Sequence, residues 1–151
     1  MKYSEPILSF YKKTTESEDE IVLKAALYNL PCFHLLYKDV VKQLSLDDNL
    51  LSTEEGKDNP FDLNFHELYQ KFAESENVEI REVLAACIHE PYKIRTDDED
   101  MSNLHDIVCD LMEDTERSVA CALAPNLCTI ISLYSNSHSL AELPDDENFG
   151  R

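Results

Sequence analysis

The chain has 151 residues, 43% of them hydrophobic, and a formal net charge of −18. This apolar fraction supports one domain with its own core and excludes a chain that is disordered throughout. The negative charge repels phosphate groups, so neither nucleic acid nor a membrane is expected as a partner. The two glycines, Gly56 and Gly150, are too few for a β-sandwich or a phosphate-binding loop, and an all-α fold is expected.

Apolar residues recur at intervals of three and four in three successive segments, and each segment reads as a pair of helices. The pairs are predicted over about residues 6–42, 63–95 and 102–134, and they form one domain over residues 1–134. An acidic loop over residues 45–60 separates the first two pairs, and a second acidic turn covers residues 96–100. Residues 135–151 are predicted to form a polar, flexible tail.

Local signals refine the long second helices of these pairs. Ser17 and Glu20 fit a capping box at the start of the first long helix, because the serine oxygen can accept an exposed amide while the glutamate reaches back. Pro31 removes one backbone hydrogen bond, so this helix is expected to kink or to break there. In the second pair the apolar pattern over Ile80–Ile94 is read as one helix.

The three pairs share one register. A forward shift of 39 positions places Ile80 on Val119 and Leu84 on Leu123, and a backward shift of 58 places Ile80 on Val22. A helix pair of this length cannot bury its apolar faces alone, so such pairs stack in arrays. The sequence therefore predicts an α-solenoid, an α-α superhelix of about three antiparallel helix pairs.

The segment IREVLAACI at residues 80–88 resembles the start of the second helix of a HEAT repeat, and Asp114 matches the aspartate favoured in the turn between the helices. Ser75, at the corresponding place in the second pair, does not. With ALYNLPCFHLLYKD (26–39) and FHELYQKFAESENVEIREVLAACIHE (65–90), the chain is similar to HEAT arrays of regulatory subunits of the protein phosphatase 2A and 4 group. The resemblance covers roughly residues 20–134 of this chain.

The resemblance implies a non-catalytic scaffold, a fragment or short form of a regulatory subunit. Such a scaffold would bind a serine/threonine phosphatase catalytic subunit or its substrates. Candidate partner-binding residues are Arg81, Asn29, Asn126, Tyr28 and Tyr92. Each has a structural alternative: the arginine pairs with acids of a neighbouring turn, the asparagines bond between helices, and the tyrosines pack at the edges of the repeats.

The ends of the predicted array lack a polar outer face. Ile7 and Phe10 in the first pair, and Ile130 and Ile131 in the last, are apolar, whereas terminal repeats normally need polar caps. Self-association through these ends, or a longer solenoid of which this chain is a purely structural segment, is therefore expected.

The five cysteines are expected to be reduced and buried on apolar helix faces. In Cys32–His34 and Cys87–His89 the two residues point to different sides of a helix, so neither pair can chelate one ion. His105 and Cys109 share a face and make only half of a metal site. The sequence thus predicts no catalytic residues, no metal and no cofactor. The alternative reading is a small helical enzyme or metal-binding domain that uses these cysteines and histidines.

The location is inferred from what the sequence lacks. The first residues contain no apolar signal core, and no run of about 18 apolar residues is present. We expect a cytoplasmic protein, with the nucleus as a second location.

Overall fold

The computed structural model describes residues 4–45, 63–94 and 98–138, and every regular element among them is helical. The helices are α1 Ser4–Thr15, α2 Glu20–Ser45, α3 Phe65–Ala73, α4 Val78–Cys87, α5 His89–Ile94, α6 Asp98–Met112, α7 Arg117–Leu123 and α8 Leu127–His138. A 3₁₀ turn, Ala124–Asn126, links α7 to α8. The all-α class predicted from the sequence is confirmed for this part of the chain.

The helix boundaries follow the two shifts that align the apolar residues. We call α1–α2 unit one, α3–α5 unit two and α6–α8 unit three, and we call residues related by the shifts of 58 and 39 positions equivalent. The first helices end at the equivalent residues Thr15, Ala73 and Met112. The second helices begin at the equivalent residues Glu20, Val78 and Arg117.

One apolar core runs through the three units. Within the units, α1 packs on α2, α3 on α4 and α6 on α7. Between them, α4 contacts both α2 and α7, and α3 contacts α6, so unit two lies between units one and three. The fully buried side chains at its centre come from every unit and include Leu27, Ile80, Leu84, Ile107 and Val119.

The residues that precede the second helices are also equivalent. Asp19 caps α2 by accepting the N–H of Ile21 at 2.9 Å, and Asn77 caps α4. The predicted capping box is wrong, because Asp19 is the capping residue and the Ser17 hydroxyl oxygen accepts the N–H of Asp19 at 3.1 Å. Glu20 is the first helical residue and pairs with Lys24 at 2.6 Å.

Pro31 leaves its helix continuous, whereas Pro91 and Pro125 interrupt theirs. α2 continues through Pro31 to Ser45, so the helix does not break there. The predicted helix over Ile80–Ile94 is instead divided at Ile88. The reason is Pro91, which has no N–H to donate to the carbonyl of Cys87. Pro125 has the corresponding effect in unit three, where the chain tightens into the 3₁₀ turn.

The predicted connections differ from the structure at their edges. α6 begins at Asp98, so part of the acidic turn predicted over residues 96–100 is helical. α8 continues to His138, four residues beyond the predicted end of the domain at residue 134. The acidic loop predicted over residues 45–60, apart from Ser45, and the tail beyond His138 lie outside the described residues.

Candidate partner-binding surface

One side of the second helices is exposed in all three units. The equivalent residues Tyr28, Ala86 and Pro125 are exposed, and so are the equivalent residues Leu35, Lys93 and Ser132. We call this side the lateral face. In unit one it is apolar, because Tyr28 is 62% and Leu35 50% exposed, with the exposed Cys32 between them. The spacing of these three residues places them on one stripe of α2.

The two candidate asparagines lie beside this stripe and use their amides within the chain. Asn29 Nδ2 donates to the carbonyl of Ala25 in its own helix at 2.7 Å. Asn126 Nδ2 donates to the carbonyl of Ala86 at 2.9 Å, so it ties the 3₁₀ turn of unit three to α4. The structural alternative considered for Asn126, a bond between helices, is what the structure shows.

Arg81 is directed into the chain rather than towards a partner. Its Nε and Nη2 donate to Asp114 Oδ2 and Oδ1 at 2.7 and 3.1 Å, and its Nη1 donates to the carbonyl of Ser75 at 2.7 Å. The same bonds raise the pKa of Arg81 and lower the pKa of Asp114 below its ordinary value. All three guanidinium nitrogens are engaged, so Arg81 joins units two and three and is not a free clamp for a partner carboxylate.

Tyr92 cannot present an aromatic surface, because it is completely buried. It lies near Cys109, Asp106 and Tyr134 of unit three, and burial raises the pKa of its phenol. Its hydroxyl finds no hydrogen-bond partner among the described residues. The prediction that Tyr92 binds a partner is therefore wrong, and the physical reason is that unit three covers α5.

A cavity of about 310 Å³ lies between units one and two. Its aromatic wall is formed by Phe65, which stacks on the imidazole of His34 with ring centroids 4.6 Å apart. His34 Nδ1 lies 3.3 Å from the Tyr69 hydroxyl oxygen. Sequence reasoning missed this cavity, since a histidine on an apolar helix stripe does not indicate which rings of another helix will face it.

The cysteines are mostly at the surface. Cys32, Cys109, Cys121 and Cys128 are exposed and reduced, so the prediction of buried thiols is wrong for these four. They were assigned to the core because cysteine counts as apolar in the helical pattern, although a small side chain is also tolerated on an exposed face. Cys87 is half-buried, and desolvation raises the pKa of its thiol to about 12.

A metal site would need more ligands than the Cys/His pairs provide. His105 Nε2 lies 3.8 Å from Cys109 Sγ, and the His105 ring stacks on Tyr134 at 4.5 Å. In the part of the chain that the structure describes, no group of three or more His, Cys, Asp or Glu side chains is placed to hold a metal ion. His105 and Cys109 thus remain two ligands on one helix face.

The stretch Arg117–Ser135 is long and apolar enough to cross a membrane by length and composition, although the sequence analysis expected no such segment. It comprises α7, the 3₁₀ turn and most of α8. Only 17% of it is buried within the chain. One such helix is weak evidence for a membrane span, since the core helices of soluble proteins pass the same test.

Comparison with protein families, with curated proteins and with solved structures finds no match to this chain.

Proposed function

We propose that this chain is a non-catalytic protein-binding scaffold, built as a HEAT-like α-solenoid of three antiparallel helix pairs. Three facts support the stacked arrangement. The helix boundaries repeat at the two shifts that align the apolar residues, unit two lies between units one and three, and the Arg81–Asp114 pair joins successive units. Arrays of this kind offer extended surfaces to their partners.

The observation that carries the binding proposal is the apolar stripe of Tyr28, Cys32 and Leu35 on the lateral face. These side chains are exposed in a protein whose net charge is −18. Burying one large apolar side chain contributes about 1.5–3 kcal/mol. Tyr28 and Leu35 together therefore provide a sizeable part of the affinity of a moderate complex, and an exposed apolar patch bordered by polar residues is typical of protein interfaces.

The partner we propose presents an apolar ridge to this stripe and carries net positive charge around it. The strong negative charge of the scaffold attracts a basic surface at long range and speeds the encounter. On the basis of the family resemblance, the proposed partner is a catalytic subunit of the protein phosphatase 2A/4 type, or one of its substrates. The chain would then steer substrate choice or location in the cytoplasm or nucleus and would perform no chemistry itself.

The test is a titration of purified phosphatase catalytic subunit with the wild-type chain and three variants. Tyr28→Glu and Leu35→Glu place a charge in the stripe and should each weaken binding at least about 30-fold. Phe10→Glu is the matched control, because Phe10 is as exposed as Tyr28 but lies on α1. It should bind like the wild type.

Two results would contradict the proposal. If the wild-type chain does not bind the catalytic subunit, the phosphatase is removed as partner. If Tyr28→Glu and Phe10→Glu bind as well as each other, the lateral face is not the docking surface. Circular dichroism of each variant checks that the helices are retained.

A further inference from the structure

The two ends of the stack expose several side chains whose equivalents are buried elsewhere in the chain. The first end is formed by Ile7, Phe10 and Ile21, which are 44%, 68% and 79% exposed. The last end is formed by Cys121, Ala124, Cys128 and Ile131, all exposed, the isoleucine to 61%. Neither set belongs to the lateral face.

The last end shows the contrast most clearly. Leu27 in unit one and Ala85 in unit two are fully buried, whereas their equivalent Ala124 is exposed. Likewise His34 and Tyr92 are buried, whereas their equivalent Ile131 is exposed. In units one and two the following unit covers these positions, and in the described residues nothing covers them in unit three.

The first end shows the converse pattern. Phe65 and Leu104, the equivalents of Ile7, are buried against the preceding unit. Ile107, an equivalent of Phe10, is also buried. The first end therefore carries apolar side chains at the positions that receive a preceding unit inside the stack.

The junction between units one and two supplies a template for what fits there. Its ring contact, His34 on Phe65, has as equivalents Ile131 of the last end and Ile7 of the first end. Two isoleucines can make an apolar contact in the same place. The register thus brings complementary side chains together when the last end of one molecule meets the first end of another.

A second contact of that junction is an ion pair between Lys24 and Glu79. Its equivalents are Cys121 of the last end and Ile21 of the first end, so the charges are replaced by two apolar side chains. This substitution accounts for the high exposure of Ile21 without an appeal to a separate binding site.

A third contact retains its chemistry. Lys71 Nζ donates to the carbonyl of Thr15, the last residue of α1, at 2.8 Å. The equivalent residues are Lys13 of the first end and Met112, the last residue of α6. A lysine is therefore present at the place where it can donate to the end of a helix of another molecule.

We propose that a second copy of this chain docks head to tail, with the last end of one copy on the first end of the next. The contact repeats the junction between units one and two. This inference rests on the stacking of units in the proposed function, but it uses neither Tyr28 nor Leu35, so the two surfaces can be tested separately. Because the contact is heterologous, it is open to further copies unless the geometry closes a ring.

The charges determine how this contact responds to salt. Of residues 117–138, which include the last end, only Arg117 is an Asp, Glu, Lys or Arg, whereas these four types make up 29% of the whole chain. The last end is therefore apolar, while two copies with a net charge of −18 each repel one another at long range. Salt screens this repulsion, so self-association should strengthen as ionic strength rises.

The experiment is sedimentation velocity over a range of protein and salt concentrations under reducing conditions. The wild-type chain should form dimers and longer oligomers with a dissociation constant on the order of 10–100 μM. Phe10→Glu and Ile131→Glu should each weaken the association at least about 30-fold. Tyr28→Glu is the control on the lateral face and should associate like the wild type. Melting curves confirm that the variants fold.

An equimolar mixture of Phe10→Glu and Ile131→Glu separates head-to-tail docking from a two-fold dimer. Each variant keeps one intact end, so the last end of the first variant can dock on the first end of the second. The mixture should recover a dimer that does not grow, although each variant alone stays monomeric.

Four outcomes would overturn the inference. The first is a wild-type chain that stays monomeric at a protein concentration about ten times the expected dissociation constant. The second and third are association that survives both substitutions and association that is lost in only one variant. The fourth is a mixture of the two variants that stays monomeric. Vesicles of neutral lipid provide a further check. Binding to them by the wild type that is lost in Ile131→Glu would assign the last end to a membrane instead.

Discussion

Arg81 in α4 and Asp114 in the turn after α6 form a two-bond ion pair that joins unit two to unit three. The separations are 2.7 Å from Nε to Oδ2 and 3.1 Å from Nη2 to Oδ1. Asp114 also accepts the N–H of Glu116 at 2.8 Å and so orders the turn that leads into α7. Both side chains are largely covered, so loss of either partner leaves the other charge poorly solvated.

Asp114→Asn should lower the free energy of unfolding by about 2–3 kcal/mol, because it removes the carboxylate that accepts two hydrogen bonds from the largely covered Arg81. Urea denaturation followed by circular dichroism measures the change. Asp110→Asn, at an exposed position on the same helix, is the control and should change the free energy by less than about 0.5 kcal/mol. Equal losses in both variants would show that the Arg81 pair does not stabilise the junction.

The stabilisation by this pair should disappear in acid. The pKa of Asp114 is lowered in the folded chain, so its contribution is present above the ordinary aspartate pKa of 3.8 and is lost as the pH falls through the lower folded value. The raised pKa of Arg81 has no effect in this range, because arginine stays charged. The difference in unfolding free energy between wild type and Asp114→Asn should therefore shrink from about pH 5 to about pH 2. A constant difference would contradict the ion pair as its cause.

Two buried tyrosines should respond in opposite ways to loss of the hydroxyl group. Tyr11 donates to the carbonyl of Ala26 at 2.9 Å, so Tyr11→Phe should cost about 1 kcal/mol of unfolding free energy. The buried hydroxyl of Tyr92 has no partner among the described residues, so Tyr92→Phe should be neutral or stabilise by about 0.5–1 kcal/mol. Thermal and urea melts of the two variants give the comparison. A larger loss for Tyr92→Phe would show that its hydroxyl is bonded in solution.

The N-terminus of α7 lacks the side-chain cap that the equivalent helices of the other two units have. Asp19 and Asn77 cap the equivalent helices with their side chains, whereas Glu116 makes no such bond. Glu116→Asp keeps the charge and shortens the side chain to the length that reaches the first turn. It should stabilise the chain by about 0.5–1 kcal/mol in a urea melt. Glu113→Asp, outside the cap position, should leave the midpoint unchanged, and the same shift in both would argue against capping.

Four of the five thiols should react rapidly with an alkylating reagent, and one should react slowly. At low protein concentration an alkylating reagent should modify Cys32, Cys109, Cys121 and Cys128, which are exposed. Cys87 should react much more slowly in the native chain, because partial burial limits access and raises the pKa of its thiol to about 12. Mass spectrometry of peptides after timed labelling reads each site. Rapid labelling of Cys87 in the native chain would contradict its packing.

Much of the helical organisation follows from the sequence. Phe65, Leu68 and Phe72 repeat at helical spacing, and Leu104, Ile107 and Leu111 repeat them 39 positions later. The apolar period and the polar turns are local properties, so both the helix type and the shared register can be read from residue order. The break at Ile88 was not predicted, because a proline removes one helical hydrogen bond wherever it stands, and only the tertiary structure decides that α2 continues through Pro31 while the next helix divides before Pro91.

The candidate site was predicted less well, since its residues depend on contacts between units. Tyr28 and Tyr92 are the same residue type on second helices, yet one is exposed and the other is covered by unit three. From the sequence alone, Arg81 could bind a carboxylate of a partner. In the folded chain the turn that contains Asp114 lies beside it and supplies that carboxylate. No local pattern reports which element will occupy the space next to a side chain.

Ala85 and Ala124 separate what the sequence determines from what only the tertiary structure determines. The sequence by itself determined that both are alanines at the same place in the repeat, 39 positions apart. Only the tertiary structure decided that Ala85 is fully buried and Ala124 exposed. The physical reason is that a residue at this place in the repeat is buried only where another unit packs against it. α7 packs against α4, whereas the last end of unit three has no neighbour among the described residues.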